Sequence, residues 1–93
     1  MALRVGRHTF SYATYDASSD VLYAALDAPP RGRREATPES HIWRFDEEGR
    51  FVGITFMNPR RQLEREGAVY VTLPSGEKER AAGAEQLIRS AAS

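Results

Sequence analysis

Two aspartates, Asp16 and Asp20, stand at one bend of the chain, and paired carboxylates are the raw material of general acid–base or metal chemistry. Aspartate in a run such as Asp-Ala-Ser-Ser-Asp also bonds its own backbone and shapes a turn, and no histidine accompanies the pair in sequence. The turn reading prevails. His8 and His41 are the only imidazoles, and a zinc site would need both of them together with carboxylates. Their separation is no helical i, i+4 pair. His41 alternates with Trp43 and Phe45, which predicts a hydrogen-bonded histidine at the margin of a core. Asp46-Glu47-Glu48 has the composition of a calcium loop without its spacing, because Phe51 stands where the loop glycine belongs and Met57 where the bidentate acid belongs.

Arg31, Arg33 and Arg34, together with Arg60 and Arg61, form the one basic concentration, a possible contact for an anion or a partner. Glu35, Glu39, Glu64 and Glu66 balance it locally, so a solvated surface is the expectation. Weak nucleic-acid binding through the Arg31–Arg34 loop is an alternative that a salt-dependent mobility shift would reveal. Thirteen basic and thirteen acidic residues cancel, which argues against the strong basic field of a nucleic-acid binder. With no cysteine, disulfides, thiolate nucleophiles and Cys-ligated metals are excluded. No phosphate-cradling glycine signature is present, and no Ser-His-Asp set can be drawn. The expectation is a protein with no catalytic residues, no cofactor and no metal.

The elements that must position these residues follow from periodicity. Ninety-three residues with an apolar content of 41% and nine aromatic side chains suit one folded domain over 1–93. Thr9 to Tyr15 reads as a first strand and Val21 to Leu26 as a second, joined by the Asp16–Ser19 turn. Asp27 to Pro38, with three prolines, one glycine and three arginines, reads as a long loop. Ser40 to Phe45 alternates as a third strand with Trp43 the foremost core candidate, and Asp46-Glu47-Glu48-Gly49 predicts a type I turn closed by a left-handed glycine.

A fourth strand, Arg50 to Met57, is apolar on both faces, as a central strand would be. Its Gly53 predicts a bulge or a close backbone approach, with the Trp43 ring as the expected neighbour. Asn58-Pro59 predicts an N-cap and first residue of a short helix ending at Gly67. Val69 to Leu73 forms a fifth strand. Ser75 then caps an expected last helix with Glu77 and Glu79 in its first turn, Gly83 in its middle and Ala84, Leu87, Ile88 and Ala91 on one face. The fold class is therefore α+β: an antiparallel sheet of about five strands, two hairpins plus a late strand, with a short helix after strand four and a C-terminal helix.

Tyr15-Asp16-Ala17-Ser18-Ser19-Asp20-Val21-Leu22-Tyr23-Ala24-Ala25-Leu26 resembles the opening of the small prokaryotic proteins grouped as domain of unknown function 2283. Phe45 to Arg61 resembles their second half, an acidic turn, Val-Gly-Ile, then an Asn before a basic helix start. Arg65 to Pro74 is similar to an extension that some members carry. The resemblance implies a small cytosolic α+β protein, supplies no catalytic residues and, because some members are paired with small toxin-like neighbours, suggests an antitoxin-like role.

No run approaches 18 apolar residues and Met1 to Phe10 holds no signal-peptide core, so a cytoplasmic location without membrane contact is expected. The functional expectation is a noncatalytic protein-interaction module, a homodimer or the partner of a small protein. Its small core and two-sided fourth strand motivate it. The alternative is a small-ligand or hydrolytic protein using Asp16, Asp20 and His41, which requires a cleft where those groups converge.

Overall fold

The computed structural model describes residues 3–26 and 30–92. It is an α+β fold of two antiparallel sheets and two helices. The five-stranded sheet contains both hairpins read from the sequence. Its strands β3 (Tyr12–Asp16), β4 (Val21–Ala25), β5 (Arg34–Ala36), β6 (Ile42–Phe45) and β7 (Phe51–Met57) lie in the order β3-β4-β7-β6-β5. β7 is central, paired on both edges by β4 and β6, and its Val52, Ile54 and Phe56 are all buried. Asp46 closes the β6–β7 turn as the sequence suggests, with Gly49 at φ 84° donating its N–H to the Asp46 carbonyl at 3.0 Å.

A second, four-stranded sheet covers one face of the first. It comprises β1 (Leu3–Val5), β2 (His8–Phe10), β8 (Tyr70–Thr72) and β9 (Lys78–Ala82), ordered β2-β1-β9-β8. Leu3, Val5, Val71, Leu73 and Ala81 from this layer meet Leu22, Ala24, Ile54 and Phe56 of the five-stranded sheet in one core. Helix α1 (Pro59–Glu66) follows β7 and is closed by Gly67 at φ 82°, whose N–H bonds the Leu63 carbonyl. Helix α2 (Ala84–Ala92) packs against β3 and α1 and buries Ala84 and Ile88 in the core, with Leu87 partly buried against it. Ala91 of the expected face is exposed.

Five expectations are corrected here. The predicted strand from Thr9 to Tyr15 is two strands, because the chain passes at Ser11 from the four-stranded to the five-stranded sheet. Phe10 is therefore fully buried while Tyr12 faces outward. The predicted loop from Asp27 to Pro38 contains an edge strand, β5, paired with β6 through Arg34–Arg44, Glu35–Trp43 and Ala36–Ile42. Its portion over 27–29 lies outside the described residues. The segment expected to open the last helix at Ser75 is instead a hairpin turn and β9. Gly76, at φ 96°, turns the chain, and β9 is held between β1 and β8. Gly83, at φ 100°, precedes the helix and does not interrupt it.

The other two corrections concern neighbours. Trp43 is half-buried and stands outside the buried core cluster. It lies on the inner face at β8, the edge strand of the covering sheet, where its Nε1–H donates to the Thr72 carbonyl at 2.7 Å. The tight approach at Gly53 is made by backbone: a Cβ there would stand 2.7 Å from the Ala24 carbonyl oxygen.

Candidate functional site

Polar side chains gather at one corner, where the β5–β6 turn, the end of β7, α1 and β8 meet. The turn from Thr37 to His41 holds itself together through the Thr37 N–H on the His41 carbonyl at 2.8 Å and the Ser40 N–H on the Thr37 carbonyl at 2.9 Å. Ser40 takes φ 70° to close it. This places His41 on the inner side of the sheet, 1% exposed and edge-on to Phe56 with ring centroids 5.0 Å apart. Its Nδ1 accepts the Met57 N–H at 3.0 Å, and its Nε2 lies 3.0 Å from Oε1 of Gln62 on α1. The Gln62 amide nitrogen donates to the Tyr70 carbonyl at 3.1 Å. The expectation of a hydrogen-bonded histidine at the core margin agrees with this geometry. Burial pushes the imidazole below its ordinary value, against the pull of Gln62 and of the Glu39 and Glu66 carboxylates.

Beside His41, the Glu39 carboxylate grips β8. It accepts the Thr72 N–H at 2.8 Å, the Thr72 hydroxyl at 2.6 Å and the Thr37 hydroxyl at 3.1 Å. Burial raises its pKa, and these hydrogen bonds outweigh the burial, so the group titrates below the usual carboxylate range. An open polar cleft of about 470 Å³ adjoins the corner, lined by Glu39, His41, Gln62, Arg65, Glu66 and Lys78 among others. Glu39 as a clasp between layers had no signal in the sequence, since Thr72 lies 33 residues away.

The two aspartates take separate duties. Asp16 is exposed and accepts the Ser18 N–H at 3.1 Å and hydroxyl at 2.7 Å; the Ser18 and Ser19 bonds hold its carboxyl low. Asp20, at φ 55°, accepts the Tyr15 hydroxyl at 2.8 Å and the backbone N–H groups of Arg60 and Arg61 at 3.0 and 3.3 Å. It is the side chain that caps α1. Asn58, the expected cap, occupies the N-cap position at φ 54° and makes no side-chain cap bond. Burial, followed by the Asp20 carboxylate, pushes the Tyr15 phenol up to about 12.

His41 and Asp20 therefore flank the end of β7 from opposite sides, β6 and β4, and share no hydrogen bond in the geometry above. The convergence needed for a hydrolytic site built from Asp16, Asp20 and His41 is absent from these contacts. Among the described residues, no group of three or more His, Cys, Asp or Glu side chains is placed to hold a metal ion. Asp46 likewise works on its own turn, accepting the N–H groups of Glu48 and Arg50 and the Arg50 guanidinium at 2.7 Å.

The arginines do not form one patch. Arg33 pairs with Glu35 at 3.0 Å and lies 4.1 Å over the Phe45 ring, while Arg31 and Arg34 are exposed. Arg34 is level with Arg44 and Gly53, whereas Arg60 and Arg61 follow Met57 on α1. Four residues of strand, about 13 Å at 3.3 Å each, separate those levels, in addition to the strands between.

The outer face of the five-stranded sheet carries a row of aromatic and aliphatic side chains. Register places Tyr12, Ala25, Gly53, Arg44 and Arg34 in one outward row, and Thr14, Tyr23, Thr55, Ile42 and Ala36 in the next. Tyr12 is 57% and Tyr23 42% exposed, Leu26 beyond β4 is 38% exposed, and Ile42 and Met57 are partly buried. Arg44 lies flat along this face, with its guanidinium donating to the Thr55 hydroxyl at 3.4 Å and the Pro30 carbonyl at 3.2 Å. No helix among the described residues is long and apolar enough to cross a membrane.

Compared with protein-family models, with curated proteins and with solved structures, the chain matches none.

Proposed function

We propose that this protein is a noncatalytic cytoplasmic interaction module that presents the outer face of its five-stranded sheet to another polypeptide, in the first instance a second copy of itself. The observation that carries the reading is the outward pair Tyr12 and Tyr23 beside Ile42 and Met57, an aromatic and aliphatic patch on a face that neither helix nor second sheet covers. Tyrosine is favoured at interfaces because it combines a large apolar ring with a polar tip. The groups best suited to chemistry are meanwhile engaged in holding the fold: both nitrogens of His41, both oxygens of Glu39 and the Asp20 carboxylate are all bonded. Resemblance to the domain of unknown function 2283 proteins adds a toxin-like neighbour as the other partner within the same reading.

Sedimentation velocity over a wide concentration range, on the wild type and on Tyr23→Glu, tests the homodimer. A dimer that the glutamate disrupts supports it, and a wild type that stays monomeric throughout overturns it. Co-expression with the adjacent gene product tests the neighbour: relief of growth arrest that Tyr23→Glu abolishes is the supporting result.

A further inference from the structure

The hydrogen-bond chain through His41 has one direction. A backbone amide such as that of Met57 can only donate, so Nδ1 of His41, 3.0 Å away, carries a lone pair. Nε2 then carries the proton and donates to Oε1 of Gln62, which orients the Gln62 amide nitrogen toward the Tyr70 carbonyl. The chain begins on a backbone donor of β7 and ends on a backbone acceptor of β8, and the neutral Nε2–H tautomer satisfies every member of it. We infer that His41 is a proton-operated latch for the corner at which β7 becomes α1: the imidazolium sets a second N–H against the Met57 N–H and releases that corner while the rest of the sheet stays paired.

Placement makes the latch local. Met57 is the last residue of β7, Gln62 is buried on α1, and Tyr70 opens the edge strand β8, so one ring ties together three element ends. The charged groups around the cleft are Glu39 from the β5–β6 turn, Arg65 and Glu66 from α1 and Lys78 from β9. The two carboxylates favour the imidazolium and the two cations oppose it. Phe56 of β7 and the Tyr70 carbonyl complete the surroundings of the ring. Burial outweighs the carboxylates, so His41 in the folded protein holds its proton less readily than a free imidazole.

Amide hydrogen exchange and the histidine ring signals of the full chain, followed by NMR from pH 8 to pH 5, test the latch. Between the ordinary histidine value and the lowered native one, the opening equilibrium at Met57 should rise by about tenfold per pH unit after correction for intrinsic exchange. That loss of protection should track the His41 ring signals, not those of His8, with Leu22 and Ile54 amides unchanged. His41→Asn keeps an acceptor near the Nδ1 position and cannot titrate, so protection at Met57 should lose its pH dependence. Should that variant not fold, the wild-type comparison decides. Met57 protection that is constant through the His41 titration overturns the inference, and so does simultaneous loss at Leu22 and Ile54, which would be global unfolding.

Discussion

Asp20 and Arg60 are 40 residues apart in sequence and 3.0 Å apart in the fold, carboxylate to backbone N–H. One aspartate at the end of the first hairpin thus satisfies the start of α1, and its own carbonyl accepts the Asn58 N–H at 2.8 Å. A helix of eight residues is marginal in isolation, so it depends on such outside partners.

Replacing Asp20 removes that cap. Asp20→Ala should cost about 2 kcal/mol, combining a lost cap with the loss of aspartate's tolerance of positive φ. Asp20→Asn, which accepts a hydrogen bond and tolerates the left-handed region, should cost about half of that. Urea titrations followed by circular dichroism would rank the two, and equal losses would show that the cap contributes nothing.

Gly32 and Gly53 are required by close backbone passage. A Cβ at Gly32 would fall inside contact distance of the Asp46 carbonyl, and one at Gly53 would stand 2.7 Å from the Ala24 carbonyl oxygen. Neither neighbour can rotate away. Gly53→Ala should cost about 1–3 kcal/mol and Gly32→Ala at least as much, read as lowered thermal midpoints. Gly32→Ala should also free β5, visible as faster amide exchange at Ala36.

Trp43 joins the layers through a single polar contact as well as its ring. Trp43→Phe deletes the bond to the Thr72 carbonyl and should cost about 1 kcal/mol. Trp43→Ala should fall short of the roughly 3–5 kcal/mol expected of a fully buried ring, because Trp43 is only partly buried. Chemical denaturation of both variants would check the order, and a larger loss for Phe than for Ala would refute it.

Stability should fall in two steps on acidification. His41 is held neutral, with its folded pKa below the unfolded 6.5, so its contribution is present above 6.5 and is lost as pH drops from there through the native value. Glu39 and Asp46 have folded values below 4.5 and 3.8, so theirs is lost as pH falls below those values. On the alkaline side, Tyr15 binds its proton more tightly when folded, and its contribution is lost as pH rises from 10 to about 12. Denaturation midpoints against pH would show these steps, and His41→Asn should remove only the first.

Much of this architecture was written locally. The β3–β4 and β6–β7 hairpins, their turns and the helix between Pro59 and Gly67 each rest on residues within a few positions of one another. Alternating burial and turn chemistry therefore suffice to read them. The buried set in β7 announced a central strand for the same reason, and alternation with Phe45 put His41 against the core. The partners of these residues were illegible. Nothing near Asp20 indicates a helix 40 residues on, and nothing near Glu39 indicates Thr72.

Tertiary structure alone decided the second sheet. Lys78-Glu79-Arg80-Ala81-Ala82 consists of good helix formers, and it is a strand because β1 and β8 offer it hydrogen bonds on both sides and Ala81 fits the buried position beside Val5. Leu3–Val5 was too short to announce itself, and the break at Ser11 exists because two sheets meet there. Propensity and periodicity record what a residue does to its immediate neighbours. Strand pairing, a cap delivered from another hairpin and a histidine tautomer chosen by a distant amide are contacts between segments that sequence order keeps apart.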